Sequence, residues 1–442
     1  MAPGCKTIGL LRFIMKMKWL LLLHGENMSH KTIKDINEKI QKGEAVVYTA
    51  EELKKIIREG EKVTPDTVDA VTAGTCGIMS GTGAILTVPV ADKGVFKKAD
   101  SLWINDVPTS PGPCPNESLG IVDVILYGTS YANSEYGGGH VLRDLVEGKE
   151  MEVRVEANGN IYENTVVLDD CPYSKLFTTR GAFKNYVSFL NREEGSFETI
   201  FSVTGLKGPY KEISVSGCGE INPIENDPLL ESIGVGSHIL VNGGDGYVVS
   251  QGTRSTEAKP NLSVFADLKG MDGQYMGGFK TSKSPECITS VAVPFPVTTD
   301  TIRYLKIMDD EIDMPIAGIH DRTPFTSASY GDVWQGTDHV ITYSCDKCVD
   351  CKVCDVEKKC PTTAFTTKTG IDKRRCFNCG ACVYMCPGGA FSGNTGKVSI
   401  PRGDVPITLR QSNRARANKL CKNLKKRIER GEFILSEPTG KI

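Results

Sequence analysis

The sequence lacks a strong excess of either charge, a membrane-spanning apolar run, a dinucleotide-binding fingerprint and any repeat of fixed period. Its 52 basic and 54 acidic residues give a net charge of −2, which argues against wholesale binding to nucleic acid or a membrane surface. The apolar stretch 8–23 is short and carries three basic residues. No small-residue cleavage site follows it, so it predicts neither a spanning helix nor a signal peptide. The glycines of residues 74–83 do not fit G-x-G-x-x-G.

The N-terminal residues 1–27 look foreign to the rest of the chain. Met28 opens an ordinary amphipathic start, MSHKTIKDINEKIQKGEAVV, and an over-extended gene start would account for the residues before it. A peripheral membrane anchor is the alternative interpretation. We therefore expect the folded protein to begin near Met28.

The cysteines are concentrated in one short segment. Of the 16 cysteines, nine lie between Cys345 and Cys386, and the other seven are scattered singly. Dense, regularly spaced cysteines in a large chain indicate metal binding rather than disulfides, and their thiolates persist in a reducing compartment. The pattern predicts a cytoplasmic metalloprotein.

The spacing within this segment predicts two [4Fe–4S] clusters. The second motif is Cys376-x2-Cys379-x2-Cys382-x3-Cys386-Pro387. In two-cluster modules the three closely spaced thiolates bind one cluster, and the cysteine before proline binds the other. Four unligated cysteines at these spacings would be prone to oxidation.

The first motif supplies the complementary ligands, although its register has an alternative. It runs Cys348-x2-Cys351-x2-Cys354-x5-Cys360-Pro361, two residues longer than the usual final gap, and Cys345 extends the x2 spacing backwards. A zinc site in this half is the alternative metal. We favour the later register, which assigns Cys348, Cys351, Cys354 and Cys386 to cluster one, and Cys360, Cys376, Cys379 and Cys382 to cluster two.

The remaining sequence predicts an α/β or α+β domain over residues 28–337. Strand-like segments such as 68–74, 84–90, 120–130 and 151–159 alternate with helical candidates at 139–148 and 182–195. Residues 323–344 resemble a linker and a connecting strand. Residues 338–395 form the two-cluster, bacterial-ferredoxin-like α+β module. In residues 396–442, a strand and a basic amphipathic helix are expected to dock on the main domain.

Two residues outside the cysteine-rich segment are candidates for catalysis. Cys76 lies between Gly74 and Gly77, where a strand feeding a glycine-rich turn could gather N–H groups, lower the thiol pKa and favour a nucleophilic thiolate. His140 follows three glycines at a predicted helix start and could transfer a proton or hold a carboxylate. Structural roles remain open for both. Weaker candidates are Cys114, Cys171 and Cys218 as second thiols, and Arg180 and Arg254 as anion-binding residues.

Several segments together resemble the homocysteine biosynthesis family. They are TAGTCGIMSGTGAIL, YGGGHVLRDLVEGKEMEV, TTRGAFKNY, LVNGGDGYVVSQGT, FADLKGM and ITLRQSNRARA. With its fused ferredoxin-like segment, the chain resembles the subfamily of methanogenic archaea termed methanogenesis marker 16 metalloproteins. The resemblance covers about residues 28–440. One departure is Ser80, which stands where the homocysteine enzymes place a functional cysteine.

The resemblance implies reductive insertion of sulfur into a small aldehyde. The expected substrate is aspartate semialdehyde, or an aldehyde precursor of coenzyme M or coenzyme B, together with a sulfur donor. An external donor such as a ferredoxin would supply the electrons, and Cys76 and His140 would be the catalytic residues. An electron-transfer subunit of a larger redox complex is one alternative. A binder or assembler of a sulfur-containing cofactor is another.

Overall fold

The computed structural model describes residues 31–112, 116–184 and 187–442. Its helices are α1 (Ile33–Lys42), α2 (Ala50–Arg58), α3 (Gly138–Val146), α4 (Pro223–Asn226), α5 (Gly331–Trp334), α6 (Asp355–Lys359), α7 (Ala381–Met385) and α8 (Arg414–Glu429). Strands β1 to β13 are Val47–Thr49, Ala70–Ile78, Thr82–Pro89, Ser101–Ile104, Val107–Pro111, Ile121–Tyr127, Met151–Ala157, Asn160–Val166, Ser174–Phe183, Ser188–Leu190, Gly195–Phe197, Leu206–Gly208 and Ile213–Val215. Strands β14 to β26 are His238–Val241, Gly244–Gln251, Asn261–Asp267, Gly277–Phe279, Glu286–Pro296, Asp313–Gly318, Pro324–Ser329, Thr342–Tyr343, Phe365–Thr366, Gly370–Ile371, Phe391–Ser392, Lys397–Ile400 and Gly403–Arg410.

A 14-stranded sheet forms the body of the protein. Its order is β1-β2-β18-β14-β15-β16-β9-β3-β6-β5-β4-β7-β8, with β17 added on β18. Apart from the parallel pair β1–β2, the neighbouring strands run antiparallel. The structure therefore confirms the α+β alternative of the predicted fold class, since a doubly wound fold would be mostly parallel.

Strand β2 lies near one end of this sheet and is buried along almost its whole length. It pairs with β18 from Ala70↔Pro296 to Ile78↔Ile288. Burial on both faces explains its small and apolar sequence, AVTAGTCGI. The strand carries Cys76, so this pairing fixes the position of the predicted catalytic thiol.

A second sheet joins segments from before and after the cysteine-rich region. Its order is β20-β19-β10-β13-β26-β25, and its buried residues include Ile213, Met314, Trp334 and Ile407. The linker predicted over 323–344 is thus partly wrong, because β20 pairs with β19 and α5 contributes Trp334 to this core. The chain leaves this sheet after β20 and returns to it at β25.

The C-terminal helix α8 packs on the large sheet. Asn413 caps its start by accepting a hydrogen bond from the Arg416 N–H, and its apolar residues Leu420, Leu424 and Ile428 join a core with Ile36 and Ala292 of the main body. The glycines of β2 allow this close approach. A Cβ on Gly74 would lie 2.6 Å from the Cys421 sulfur.

The helix predicted over residues 182–195 is wrong. Its first residues end β9, and residues 188–190 and 195–197 form β10 and β11. Strand β9 is paired on both sides, by β3 and β16, so sheet hydrogen bonding overrides the helical spacing of the apolar residues. The predictions for residues 1–27 and for Cys114 lie outside the described residues. No helix within the described ranges has the length and apolar character needed to cross a membrane.

Candidate functional site

The structure brings the thiols proposed for cluster one together. One cavity is lined by all four of them, with Tyr343, Phe365 and Phe391 among its aromatic walls; the four are Cys348, Cys351, Cys354 and Cys386. Tyr343 also hydrogen-bonds the Cys348 sulfur. Cys345 lies outside this lining, is exposed and contacts the Asp346 carboxylate at 3.7 Å. The cavity therefore gathers the four thiols that the favoured register assigns to cluster one, and Cys345 is not among its lining residues.

The four thiols proposed for cluster two also form a group. Burial raises the pKa of Cys379, and the neighbouring thiols Cys382, Cys360 and Cys376 raise it further. The same two causes raise the pKa of Cys382. The other thiols are thus close enough to Cys379 and Cys382 to penalise their ionisation, as expected where a cationic cluster core is to be bound.

Each of the two sets supplies four thiols, which is the donor set that a [4Fe–4S] cluster takes. In the described part of the chain, no group of three or more His, Cys, Asp or Glu side chains is arranged to hold one metal ion. A zinc ion draws four sulfurs to about 2.3 Å from one centre, whereas a [4Fe–4S] cluster places each cysteine on a different iron. The residues available to hold such clusters are the eight cysteines named above.

The segments that carry the cluster-two thiols are in direct contact with both sheets. The Lys280 N–H, just after β17, donates to the Pro361 carbonyl at 2.8 Å. The Phe377 ring packs edge-on against Phe279 of β17 with centroids 5.3 Å apart. The Arg410 N–H at the end of β26 donates to the Cys379 carbonyl at 2.8 Å. The ligands of the second set therefore lie against the main domain.

Cys76 lies on strand β2, close to this contact. Its side chain is fully buried and contacts Ser290 on β18 and Arg416 on α8. The Asn413 N–H donates to its carbonyl at 2.9 Å. The same face of β18 that carries Ser290 carries Glu286 four residues earlier, since side chains alternate along a strand.

The expectation that a glycine-rich turn activates Cys76 is wrong. Cys76 lies inside β2, and the glycines beside it allow the segment before α8 to pack closely on this strand. A Cβ on Gly77 would lie 3.0 Å from the Ser412 hydroxyl. Burial raises the pKa of the Cys76 thiol, and the Arg416 charge acts in the opposite direction. The groups that oppose this increase in pKa are Arg416, Ser290 and the Asn413 N–H, which come from α8, from β18 and from the residue before α8 rather than from a glycine-rich turn.

Glu286 is a site residue that the sequence did not indicate. It is 4% exposed, contacts the Ser80 hydroxyl, and its Oε2 has no hydrogen-bond partner among the described atoms. Burial raises its pKa to about 7, with the Ser80 hydrogen bond acting against the shift. A carboxyl with this pKa can give or take a proton at neutral pH. Ser80, at the position of the departure from the family pattern, is its partner.

His140 lies on α3, packed against the edge strand β17. Its Nδ1 accepts a hydrogen bond from the Gly137 N–H at 3.1 Å, so the neutral ring carries its proton on Nε2. That atom is buried and has no partner among the described atoms. Burial lowers the His140 pKa to about 4. The hydrogen bonds described for Cys76 and His140 do not link the two residues, so they do not form a nucleophile–base pair.

The weaker candidates occupy different surroundings. Cys218 is fully buried beside β2, where its sulfur donates to the Cys76 carbonyl at 3.7 Å. Cys171 lies in a turn, and burial raises its pKa to about 11. Arg180 on β9 passes beside Gly81, next to Ser80, whereas Arg254 is exposed with a positive φ of 62°.

A buried ionic network anchors the start of α8 below the site. Arg414 donates to Asp309 at 2.6 Å and to Glu220 at 2.9 Å. The fully buried Lys54 donates to Asn226 at 3.1 Å, and burial lowers its pKa to about 7. These contacts fix the segment that carries Asn413 and Arg416 against β2.

The fold and the site define an α+β protein in which a buried thiol of the large sheet lies close to a cysteine-rich segment. Comparison of the sequence with known protein families identifies its family. The model of the family described as "homocysteine biosynthesis enzyme, sulfur-incorporation" matches residues 45–435. The chain belongs to this family, which confirms the resemblance and the expectation of an enzyme.

The relatives are archaeal proteins. The chain is 43% identical to an uncharacterised protein of Methanothermobacter thermautotrophicus, covering 91% of this chain and 94% of that protein. It is 42% identical to an uncharacterised protein of Methanocaldococcus jannaschii, covering 88% and 99%. It is 34% identical to the L-aspartate semialdehyde sulfurtransferase of M. jannaschii, but that match covers 65% of this chain and 58% of the sulfurtransferase. No solved structure matches.

Proposed function

We propose that this protein catalyses reductive insertion of sulfur into a small aldehyde to give a thiol. With hydrogen sulfide as the simplest sulfur source, one aldehyde, one hydrogen sulfide, two electrons and two protons give one thiol and one water. The observation that carries the proposal is the contact of the second cysteine-motif loop with the domain that holds Cys76. The chain belongs to a sulfur-inserting family, and the same chain carries the cysteine-rich segment that would supply the two electrons required.

The eight clustered cysteines would hold two [4Fe–4S] clusters, which when bound supply electrons one at a time. Cys360, Cys376, Cys379 and Cys382 would hold the cluster nearer the main domain. Because the reaction needs two electrons, a two-cluster module suits it without a further cofactor.

The residues of the main domain divide the remaining tasks. Cys76 is the interior nucleophile that adds to the aldehyde carbon, and Arg416 stabilises its anionic form. Glu286, with a pKa of about 7, exchanges a proton through the neighbouring Ser80 hydroxyl. Neutral His140 offers the proton on Nε2 as a hydrogen-bond donor to a developing oxyanion. Arg180, which lies beside Gly81, would bind a substrate carboxylate.

Full burial of Cys76 also excludes water from the reacting sulfur. Desolvation strengthens the charge interactions around the thiol and protects a reactive sulfur species from hydrolysis. The aldehyde is aspartate semialdehyde, the substrate in the name of the M. jannaschii sulfurtransferase, or a precursor of coenzyme M or coenzyme B.

The proposal is tested on anaerobically purified protein containing about eight irons per chain. Incubation with aspartate semialdehyde, sulfide and a low-potential reductant is expected to yield homocysteine, measured by mass spectrometry after thiol derivatisation. The coenzyme precursors are run in parallel. Cys76→Ala should abolish the product, whereas Cys171→Ala, a buried thiol in a distant turn, should retain it.

Absence of a thiol from all of these aldehydes, with iron content intact, would refute the proposal. The electron-transfer alternative would then be favoured, and it predicts stable co-purification with a redox partner. Retention of a small molecule at one per chain without turnover would instead favour a cofactor binder.

A further inference from the structure

Arg416 makes contacts that reach both the cysteine-rich loop and the catalytic strand. It stands in the first turn of α8 and is 7% exposed. Its Nη2 donates to three successive carbonyls, at 3.2 Å to Arg374, 3.2 Å to Arg375 and 2.9 Å to Cys376. The same side chain contacts the Cys76 thiol. One guanidinium therefore spans the gap between Cys76 and a cluster-two ligand.

Within the described part of the chain, the charge on Arg416 lacks the carboxylate partners that its neighbour has. Arg414, two residues earlier, is paired with the carboxylates of Asp309 and Glu220. The groups that act on Arg416 are the Cys76 and Cys376 sulfurs, which favour its charge, and the Arg143 guanidinium, which opposes it. A buried guanidinium that faces carbonyls, thiols and another cation is costly. Its natural counter-charges are therefore sulfur anions.

The alternative role of a simple structural brace explains less. Three carbonyl acceptors would be satisfied by a shorter or neutral donor, and the helix is already anchored by Arg414. Arg416 also lies over the Phe377 ring, with its guanidinium carbon 5.6 Å from the centroid. Phe377 immediately follows Cys376 and packs on Phe279, so the guanidinium is held where the loop enters the main domain.

We propose that Arg416 is a positioning residue that couples the second cluster to Cys76. It holds the backbone of residues 374–376 and the Cys76 thiol on one cation, and its positive charge raises the reduction potential of the cluster held by Cys360, Cys376, Cys379 and Cys382. This inference rests on the clusters of the proposed function and adds the residue through which the cluster and the thiol act on each other.

The test is a potentiometric titration of the full-length anaerobic protein, followed by electron paramagnetic resonance. Arg416→Gln is expected to make reduction of one cluster about tenfold less favourable, a fall of ~59 mV for one electron, and to leave the other cluster unchanged. Arg416→Lys, which keeps the charge, should restore most of the potential. Arg374→Gln is the matched control, because it removes an exposed cation from the same loop, where solvent screens the charge.

A second pair of variants leaves Arg416 in place and so does not depend on the folding of the Arg416 variants. Cys76→Ala should raise the reduction potential of the same cluster, because the positive charge of Arg416 then no longer interacts with a thiol at position 76 and acts only on the loop and its cluster. Cys218→Ala should not change it, because Cys218 is equally buried but contacts Thr75, whose side chain points to the opposite face of β2 from Cys76. Unchanged potentials in both Arg416→Gln and Cys76→Ala, at full iron content, would overturn the inference and leave the proposed function intact. Absence of clusters from the wild-type protein would overturn both.

Discussion

Because Glu286 is a buried carboxyl, we expect the stability of the protein to fall as the pH rises. The substitution Glu286→Gln should remove this pH dependence. The side chain is buried, Oε2 lacks a partner among the described atoms, and burial raises its pKa from 4.5 to about 7. A native pKa above the unfolded one means that the native state binds the proton more tightly. The stability contribution is therefore complete below about pH 4.5 and is lost as the pH rises towards 7.

The magnitude follows from the two pKa values. Between pH 5 and pH 8 the linkage amounts to about 2.5 kcal/mol of unfolding free energy, at about 1.4 kcal/mol per pKa unit. Glu286→Gln has no ionisable group, so its stability should not fall by this amount. We expect the variant to be more stable than wild type at pH 8 and to lose that advantage at pH 5.

The assay is anaerobic urea unfolding of both proteins across this pH range, with Glu152→Gln as an exposed control on β7. If wild type and Glu286→Gln show parallel pH dependence, Glu286 does not titrate in the native state as argued. Its assignment as the neutral-pH proton donor would then fail as well. Turnover of Glu286→Gln measured in the same range would separate a loss of proton transfer from a gain of stability.

Three further predictions test other parts of the site. Arg414→Leu should destabilise the protein by about 3–5 kcal/mol, because it leaves two buried carboxylates without their cation; a loss under about 1 kcal/mol in urea unfolding would contradict this. Cys379→Ser should lower iron content from about eight to about four per chain, and a full complement by iron analysis would refute the ligand assignment. Gly278→Ala would place a Cβ 2.0 Å from the His140 Nδ1 and should lower turnover. Gly270→Ala meets nothing nearer than 3.6 Å and should retain turnover; equal activity of the two variants would argue against a role for His140.

Local sequence patterns predicted the elements with strong local signals. The glycine-led helix predicted over 139–148 is confirmed as α3, and the amphipathic C-terminal helix as α8. The x2 spacing predicted which thiols should share a site, and the first set lines one cavity. In these cases a few neighbouring residues decide the outcome.

The surroundings of Cys76 could not be predicted because they come from distant parts of the chain. Its backbone binds Asn413, and its thiol contacts Arg416, both more than 300 residues away in sequence. The glycines beside it suggested an anion-binding turn, but they are needed for the approach of α8 and Ser412. Glu286 is a single acidic residue in an apolar strand, and only its burial distinguishes it from a surface carboxylate.

The attachment of the cysteine-rich segment bears on how electrons reach the site. The chain leaves the six-stranded sheet after β20 and α5 and returns to it at β25. Both ends of the segment are therefore held by the same sheet. Its second motif is also held by Arg410 and Arg416, and the end of its first motif by Lys280. An electron carrier that moves to a separate partner would need the loop of its second cysteine motif to be free of such contacts. On the proposed function, the fixed loop shortens the route to Cys76, and the exposed thiols Cys348 and Cys351 are left to face the external donor.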